Sequence, residues 1–170
     1  FSAATAMALI LIPKNQWSNP MPNENQNMRG KVVNLLRPVG GMAVENPACP
    51  GTPDVYYMHG WVELKEADDW PVRPTTPLRL KHFTKQQRVW AKTHIYKGGV
   101  STVLLKVGRL EWYLLDGLIA ADRLGSMTRE EIQSASRLTF TQGLDSERLF
   151  ECLTTLTNSQ MMAAALAVST

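Results

Sequence analysis

Between Trp70 and Leu110 the chain carries no acidic residue and nine basic ones, Arg73, Arg79, Lys81, Lys85, Arg88, Lys92, Lys97, Lys106 and Arg109. Phe83, Trp90 and Tyr96 are interleaved with them. Cations neutralise phosphate and aromatic faces stack on bases, so this is the composition of a nucleic-acid surface. The residues it nominates for that contact are Arg79, Lys81, Lys85, Arg88, Trp90, Lys92, Tyr96 and Lys97. If the segment is helical, Lys85, Arg88 and Lys92 share one face. The competing reading is a solvated face balanced by Glu63, Glu66, Asp68 and Asp69. Neither an RRM nor a zinc-finger signature is present to decide between them.

Other constellations assign no catalytic residue, metal ligand or cofactor. His59, His82 and His94 match no zinc spacing, and there is no C-x-x-C. No Ser or Cys stands in a nucleophile elbow. Asp68-Asp69 and Glu130-Glu131 are adjacent pairs, and side chains at i and i+1 do not share a face. Gly40-Gly41 and Gly98-Gly99 lack the Lys-Ser or Lys-Thr of a phosphate loop. Active sites also assemble from scattered residues, so an enzyme stays open as a third reading. Trp17, Trp61 and Trp70 stand in a loop, on the outward parity of a strand and beside a proline connector. They are interface candidates unless the chain itself covers them.

The elements that must position these residues are read from periodicity and punctuation. Ala6 to Ile12 is a continuous apolar run ended by Pro13, which fits a buried strand. The Asn- and Pro-rich stretch from Asn15 to Arg29 reads as a long loop, and Lys31 to Leu36 as a strand. Asn46 to Asp54 is loop. Val55 to Lys65 alternates, which sends Tyr56, Met58, Val62 and Leu64 to a core and His59, Trp61, Glu63 and Lys65 to solvent or a partner. Gly60 marks a bulge or a close backbone crossing. Val89–Tyr96 and Val100–Val107 around Lys97-Gly98-Gly99 read as a hairpin.

The last third is more helical. Thr128 with Glu131 forms a capping box, with Met127 and Ile132 at staple positions, predicting a helix from Arg129 to about Arg137. Asp145 is a second N-cap, and Leu149, Leu153 and Leu156 recur at helical spacing up to a stop at Asn158. The Met- and Ala-rich tail is a third helix or an arm.

The 170 residues carry a net charge of +3, with 19% charged and 44% hydrophobic residues. That composition excludes intrinsic disorder and needs no disulfide scaffold. Cys49 and Cys152 read as two lone thiols, with a single bridge between them as the alternative. No apolar run approaches the ~20 residues of a membrane span. A chain beginning at Phe1 is a processed product, a cut-out domain or part of something longer. The expected fold is mostly β, sandwich or jelly-roll-like, with a more helical C-terminal third, α+β overall. Residues 1–69 are expected to form a β-rich segment, 70–77 a Pro-rich connector, and 78–170 a hairpin plus C-terminal helices, with one continuous domain as the alternative.

AMALILIPKNQW with its Asn/Pro loop, and DVYYMHGWVELKEAD later, resemble strands from the jelly-roll capsid proteins of small icosahedral RNA viruses. A jelly roll needs about eight strands, and only two or three precede the connector. The resemblance implies a structural capsid component that self-associates, located in a virion or host cytoplasm, with the basic segment near RNA. The alternative is a nucleic-acid-binding module or ribonucleoprotein subunit.

Overall fold

Short-range capping signals start three of the helices. Thr84 and Thr128 each accept the backbone N–H three residues on, and Gln87 and Glu131 reach back to the cap amides. Asp145 accepts from the Arg148 amide at 3.1 Å. The computed structural model describes residues 28–168. In it these caps open α2 (Lys85–Tyr96), α4 (Arg129–Ala135) and α5 (Ser146–Thr155). The remaining helices are α1 (Met28–Leu36), α3 (Gly117–Arg123) and α6 (Asn158–Val168). Met127 and Ile132 are both buried in one cluster, as the staple predicts. Asn158 opens α6 instead of closing α5, and its side chain donates to the carbonyls of Ile95 and Gly99.

The strands are β1 (Met42–Ala43), β2 (Val55–Tyr57), β3 (Gly60–Ala67), β4 (Ser101–Val107), β5 (Glu111–Asp116) and β6 (Leu138–Phe140). They form one mixed sheet in chain order, antiparallel except for the parallel β3–β4 pair. Parallel neighbours need a crossover, and α2 supplies it. The strands on either side of the Pro-rich connector are thus adjacent in one sheet.

This corrects the mostly-β, sandwich or jelly-roll expectation: the chain is α+β, with more helix than strand and a single six-stranded sheet among the described residues. Lys31–Leu36 is helical, burying Val32 and Leu36 at helical spacing. Val89–Tyr96 is not a hairpin arm but the body of α2. Gly98, at φ +93°, serves the helix exit that the Gly-Gly pair was expected to provide for a hairpin. Trp17 and the Ala6–Ile12 run lie outside the described residues, as does the Asn15–Arg29 loop up to Met28.

Apolar side chains cover both faces of the sheet. On one face α1 and α5 pack on Val55, Tyr57, Val62, Leu104 and Leu114. On the other, α3, α4 and the segment carrying Leu78 and Phe83 pack on Val103, Leu105, Val107, Tyr113 and Leu115. β3 is therefore an interior strand. Val62 is buried and Leu64 half-buried, but Glu63 and Lys65 are buried too, at 4% and 7% exposure, and Met58 is exposed. Alternation misassigns the outward set because it presumes one wet face. Met58 and His59 leave the strand in the turn between β2 and β3. Gly60 is the close crossing expected, since a Cβ there would stand 2.6 Å from the Val100 carbonyl oxygen.

Candidate active site

Two features of β2 and β3 bring three charged groups together. Asp54 immediately precedes β2, and the hairpin register pairs Val55 with Val62, so Asp54 lies beside the Glu63–Lys65 stretch. Its Oδ2 accepts the Leu64 amide at 2.9 Å. Glu63 and Lys65, two apart on one strand, point to the same face. There Lys65 Nζ meets Glu63 Oε1 at 2.6 Å, both side chains nearly dry. Gln87, in the first turn of α2, donates to the same oxygen at 2.7 Å. From α1, Arg29 reaches Asp54 at 2.6 Å and Glu45 at 3.0 Å. A cleft of about 390 Å³, lined by Met28, Arg29, Asp54, Leu64, Lys65 and Glu66, opens beside Asp54 and Lys65.

The electrostatics are unusual. Burial pushes the Glu63 carboxyl up to about 7, against the pull of Lys65, and Asp54 raises it further through its charge and direct carboxyl–carboxyl contact. Glu63 Oε2 is buried without a hydrogen-bond partner in the chain. Two facing carboxyl groups need a proton or a cation between them. Among the described residues no three His, Cys, Asp or Glu side chains gather as a metal set. Two carboxylates, however, are what a hard divalent cation such as Mg²⁺ commonly takes from protein, with water and substrate phosphate completing its shell.

The basic residues nominated from sequence separate into two groups. Arg88 donates to the carbonyls of Ala121 (2.9 Å), Leu124 (2.6 Å) and Ala120, closing the end of α3, and lies over Phe83. Burial lowers its pKa from the usual guanidinium value. Lys92 pairs with Asp122 and Lys106 with Glu66. Lys92 and Lys106 follow the balanced-charge reading, whereas Arg88 is satisfied by backbone carbonyls. Arg79, Lys81, Lys85 and Lys97 are exposed and make no ion pair among the described residues. Lys85, Arg88 and Lys92 do lie on one helix, but only Lys85 keeps a free ammonium.

The aromatic candidates separate as well. Trp61 contacts Tyr56 edge-on at 5.0 Å and Trp90 at 5.2 Å, and Trp90 stacks on His94 at 4.7 Å. Burial lowers the His94 pKa, so that ring is neutral at pH 7. Trp70 stands edge-on to Tyr113, donates to Glu111 and is capped by Arg129. Tyr96 points outward, 66% exposed. Cys49 and Cys152 are both free thiols.

Asp54, Glu63, Lys65, Gln87 and Arg29 were not singled out from sequence. Their signal was an Asp at the mouth of a strand, followed by Glu-x-Lys on one parity of the next. No helix among the described residues is long and apolar enough to cross a membrane. No protein-family model matches the chain, and no curated protein matches it significantly.

Proposed function

We propose that the chain is a divalent-cation-dependent phosphodiester hydrolase acting on nucleic acid. The observation that carries this reading is the convergence of Asp54, Glu63 and Lys65, with the buried Glu63 Oε2 unpartnered beside a second carboxylate. Mg²⁺ is commonly bound through one or two carboxylates, with waters and substrate phosphate completing its shell. Bound there, such an ion lowers the pKa of a water and offsets charge on a phosphoryl group.

The chain's own groups would then divide the work. Asp54 and Glu63 would hold the cation, Asp54 being fixed by the Leu64 amide and Arg29. Gln87 orients Glu63. Lys65 places a positive charge where an attacking hydroxide and the loaded phosphoryl oxygens both need it. Water oxygen bonds to phosphorus as the bond to one sugar oxygen breaks. The water's proton passes to solvent, and the leaving oxygen takes one up, giving a phosphomonoester and an alcohol. The exposed Arg79, Lys81, Lys85 and Lys97 supply the phosphate attraction that brings a polyanion to the cleft.

The two readings from sequence fare differently beside this site. Self-assembly drew on long Asn/Pro loops, outward aromatics, low charge and the lack of catalytic motifs; of those aromatics, Trp61 and Trp70 are half-buried against rings of the same chain. The exposed Arg79, Lys81, Lys85 and Lys97 support the nucleic-acid reading, and the Asp54–Glu63–Lys65 cluster is what the proposal adds to it. The test is cleavage of single-stranded, duplex and plasmid DNA and of RNA with Mg²⁺, Mn²⁺ or EDTA. Cleavage should require the ion and vanish in Asp54→Asn, Glu63→Gln and Lys65→Ala. Inert wild type with either ion, or folded variants of full activity, would refute it.

A further inference from the structure

A groove of about 550 Å³ with a largely apolar lining lies between the loop preceding Asp54 and α2. Pro50 forms one wall. The other is a helical stripe of Val89, Trp90, Thr93 and His94, with Lys85 and Lys97 at its ends. No acidic residue lines it. Val89 is 53% exposed, an apolar side chain left open. The Trp90–His94 pair stacks at an interplanar angle of 18°, and Trp61 holds Trp90 from the edge.

This groove and the carboxylates share their supports. Trp61 precedes Glu63 by two residues on the same strand face, about 7 Å away along β3. Trp90 follows Gln87 by three on α2, so both face β3, where Gln87 meets Glu63 and Trp90 meets Trp61. A groove lined by Trp90 and His94 and flanked by two unpaired ammonium groups complements a flat, apolar ring attached to phosphates. In a duplex the base faces are occupied by their neighbours, whereas an unpaired nucleotide can offer one to protein.

Resting on the hydrolase reading, we propose that this groove binds the base of an unpaired nucleotide adjoining the scissile phosphate, stacked on the Trp90–His94 pair with its phosphates between Lys85 and Lys97. The preferred substrate is therefore single-stranded, or a single-stranded stretch within a duplex.

The experiment uses the full chain in EDTA, so that binding is read without cleavage. Tryptophan fluorescence and anisotropy are followed with a short deoxythymidine oligonucleotide, its uridine counterpart, an abasic strand of equal length and a duplex. The strands with bases should quench tryptophan and bind about tenfold more tightly than the abasic strand. Trp90→Ala should erase that advantage and Trp90→Phe keep most of it. Should Trp90→Ala not fold, Thr93→Glu, at an exposed position, puts charge into the groove and should have the same effect. Lys85→Ala with Lys97→Ala should weaken strands with and without bases alike and reduce the salt slope by up to about two contacts' worth. A base advantage in the DNA or the RNA arm supports the proposal and identifies the sugar. Equal binding of abasic and normal strands in both arms, or a folded Thr93→Glu that keeps the advantage, overturns it. Base-dependent binding without ion-dependent cleavage sinks the hydrolase reading alone, and cleavage without a base advantage sinks this one alone.

Discussion

Lys65 and Glu63 form an ion pair at 2.6 Å on the interior face of β3, with less than a tenth of either side chain exposed. A buried pair of this kind is a weak source of stability but costly to break from one side, because the remaining charge is stranded. The same geometry keeps an ammonium and a carboxylate at one point of a cleft, which is its use in the proposed reaction.

Lys65→Met should therefore destabilise the chain by about 3 kcal/mol at pH 8. At pH 5 the loss should be smaller, since burial raises the Glu63 carboxyl and the variant lacks the Lys65 charge that holds it down, so it is then protonated and leaves no stranded charge. Urea unfolding at the two pH values measures both. Equal losses would show that Glu63 carries the same charge throughout.

The raised Glu63 pKa makes a second prediction about the metal-free chain. A group whose folded pKa exceeds its unfolded value contributes stability that is complete below the unfolded pKa and is lost as pH rises through the folded one. In EDTA, wild type should lose stability between about pH 4.5 and 7 relative to Glu63→Gln. Burial also raises Asp116, in the same direction, so the difference between the two proteins is the quantity to read. Parallel pH profiles would exclude Glu63 as the source. Added Mn²⁺ should restore wild type at pH 7.5 and leave Asp54→Asn unaffected in a thermal scan.

Arg88 was nominated as a phosphate contact, yet its guanidinium closes the α3 carbonyls. Arg88→Ala should cost about 2 kcal/mol or more, because several buried acceptors lose a charged donor. Arg88→Lys should recover little, since an ammonium cannot spread over three carbonyls as the planar fork does. Lys85→Ala should leave stability within about 0.5 kcal/mol of wild type while weakening nucleic-acid binding. Chemical denaturation and filter binding on the three variants separate these roles. A stable Arg88→Ala with weakened binding would reverse the assignment.

Thr128→Ala and Thr84→Ala each remove a capping-box hydroxyl and should each cost about 1 kcal/mol. Only Thr84→Ala should also lower cleavage, because its helix carries Gln87 to Glu63. Activity lost equally in both variants would mean that general destabilisation, and not the placement of Gln87, is being measured.

What the sequence determined by itself is what depends on neighbours a few residues apart. Thr128 and Asp145 could be read as helix starts because a cap bonds to an amide within the next turn, and Gly60 as a close crossing because only glycine lacks the atom that would collide. Thr84 and Gln87 carry the same local signal, but competition from the β-rich look of Val89–Tyr96 hid it. Tertiary structure alone decided the rest. Whether alternation in β3 means one wet face or two dry ones depends on α2 and Phe83 covering it, and those come from later in the chain. Asp54 and Glu63 are nine residues apart and meet only because the β2–β3 hairpin folds one beside the other. Gln87 joins them only because a parallel β4 obliges the chain to cross the sheet through α2. Long-range pairing turned an outward Glu-x-Lys into a buried charged centre, and it turned two of the nominated cations, Arg88 and Lys92, into structural ones.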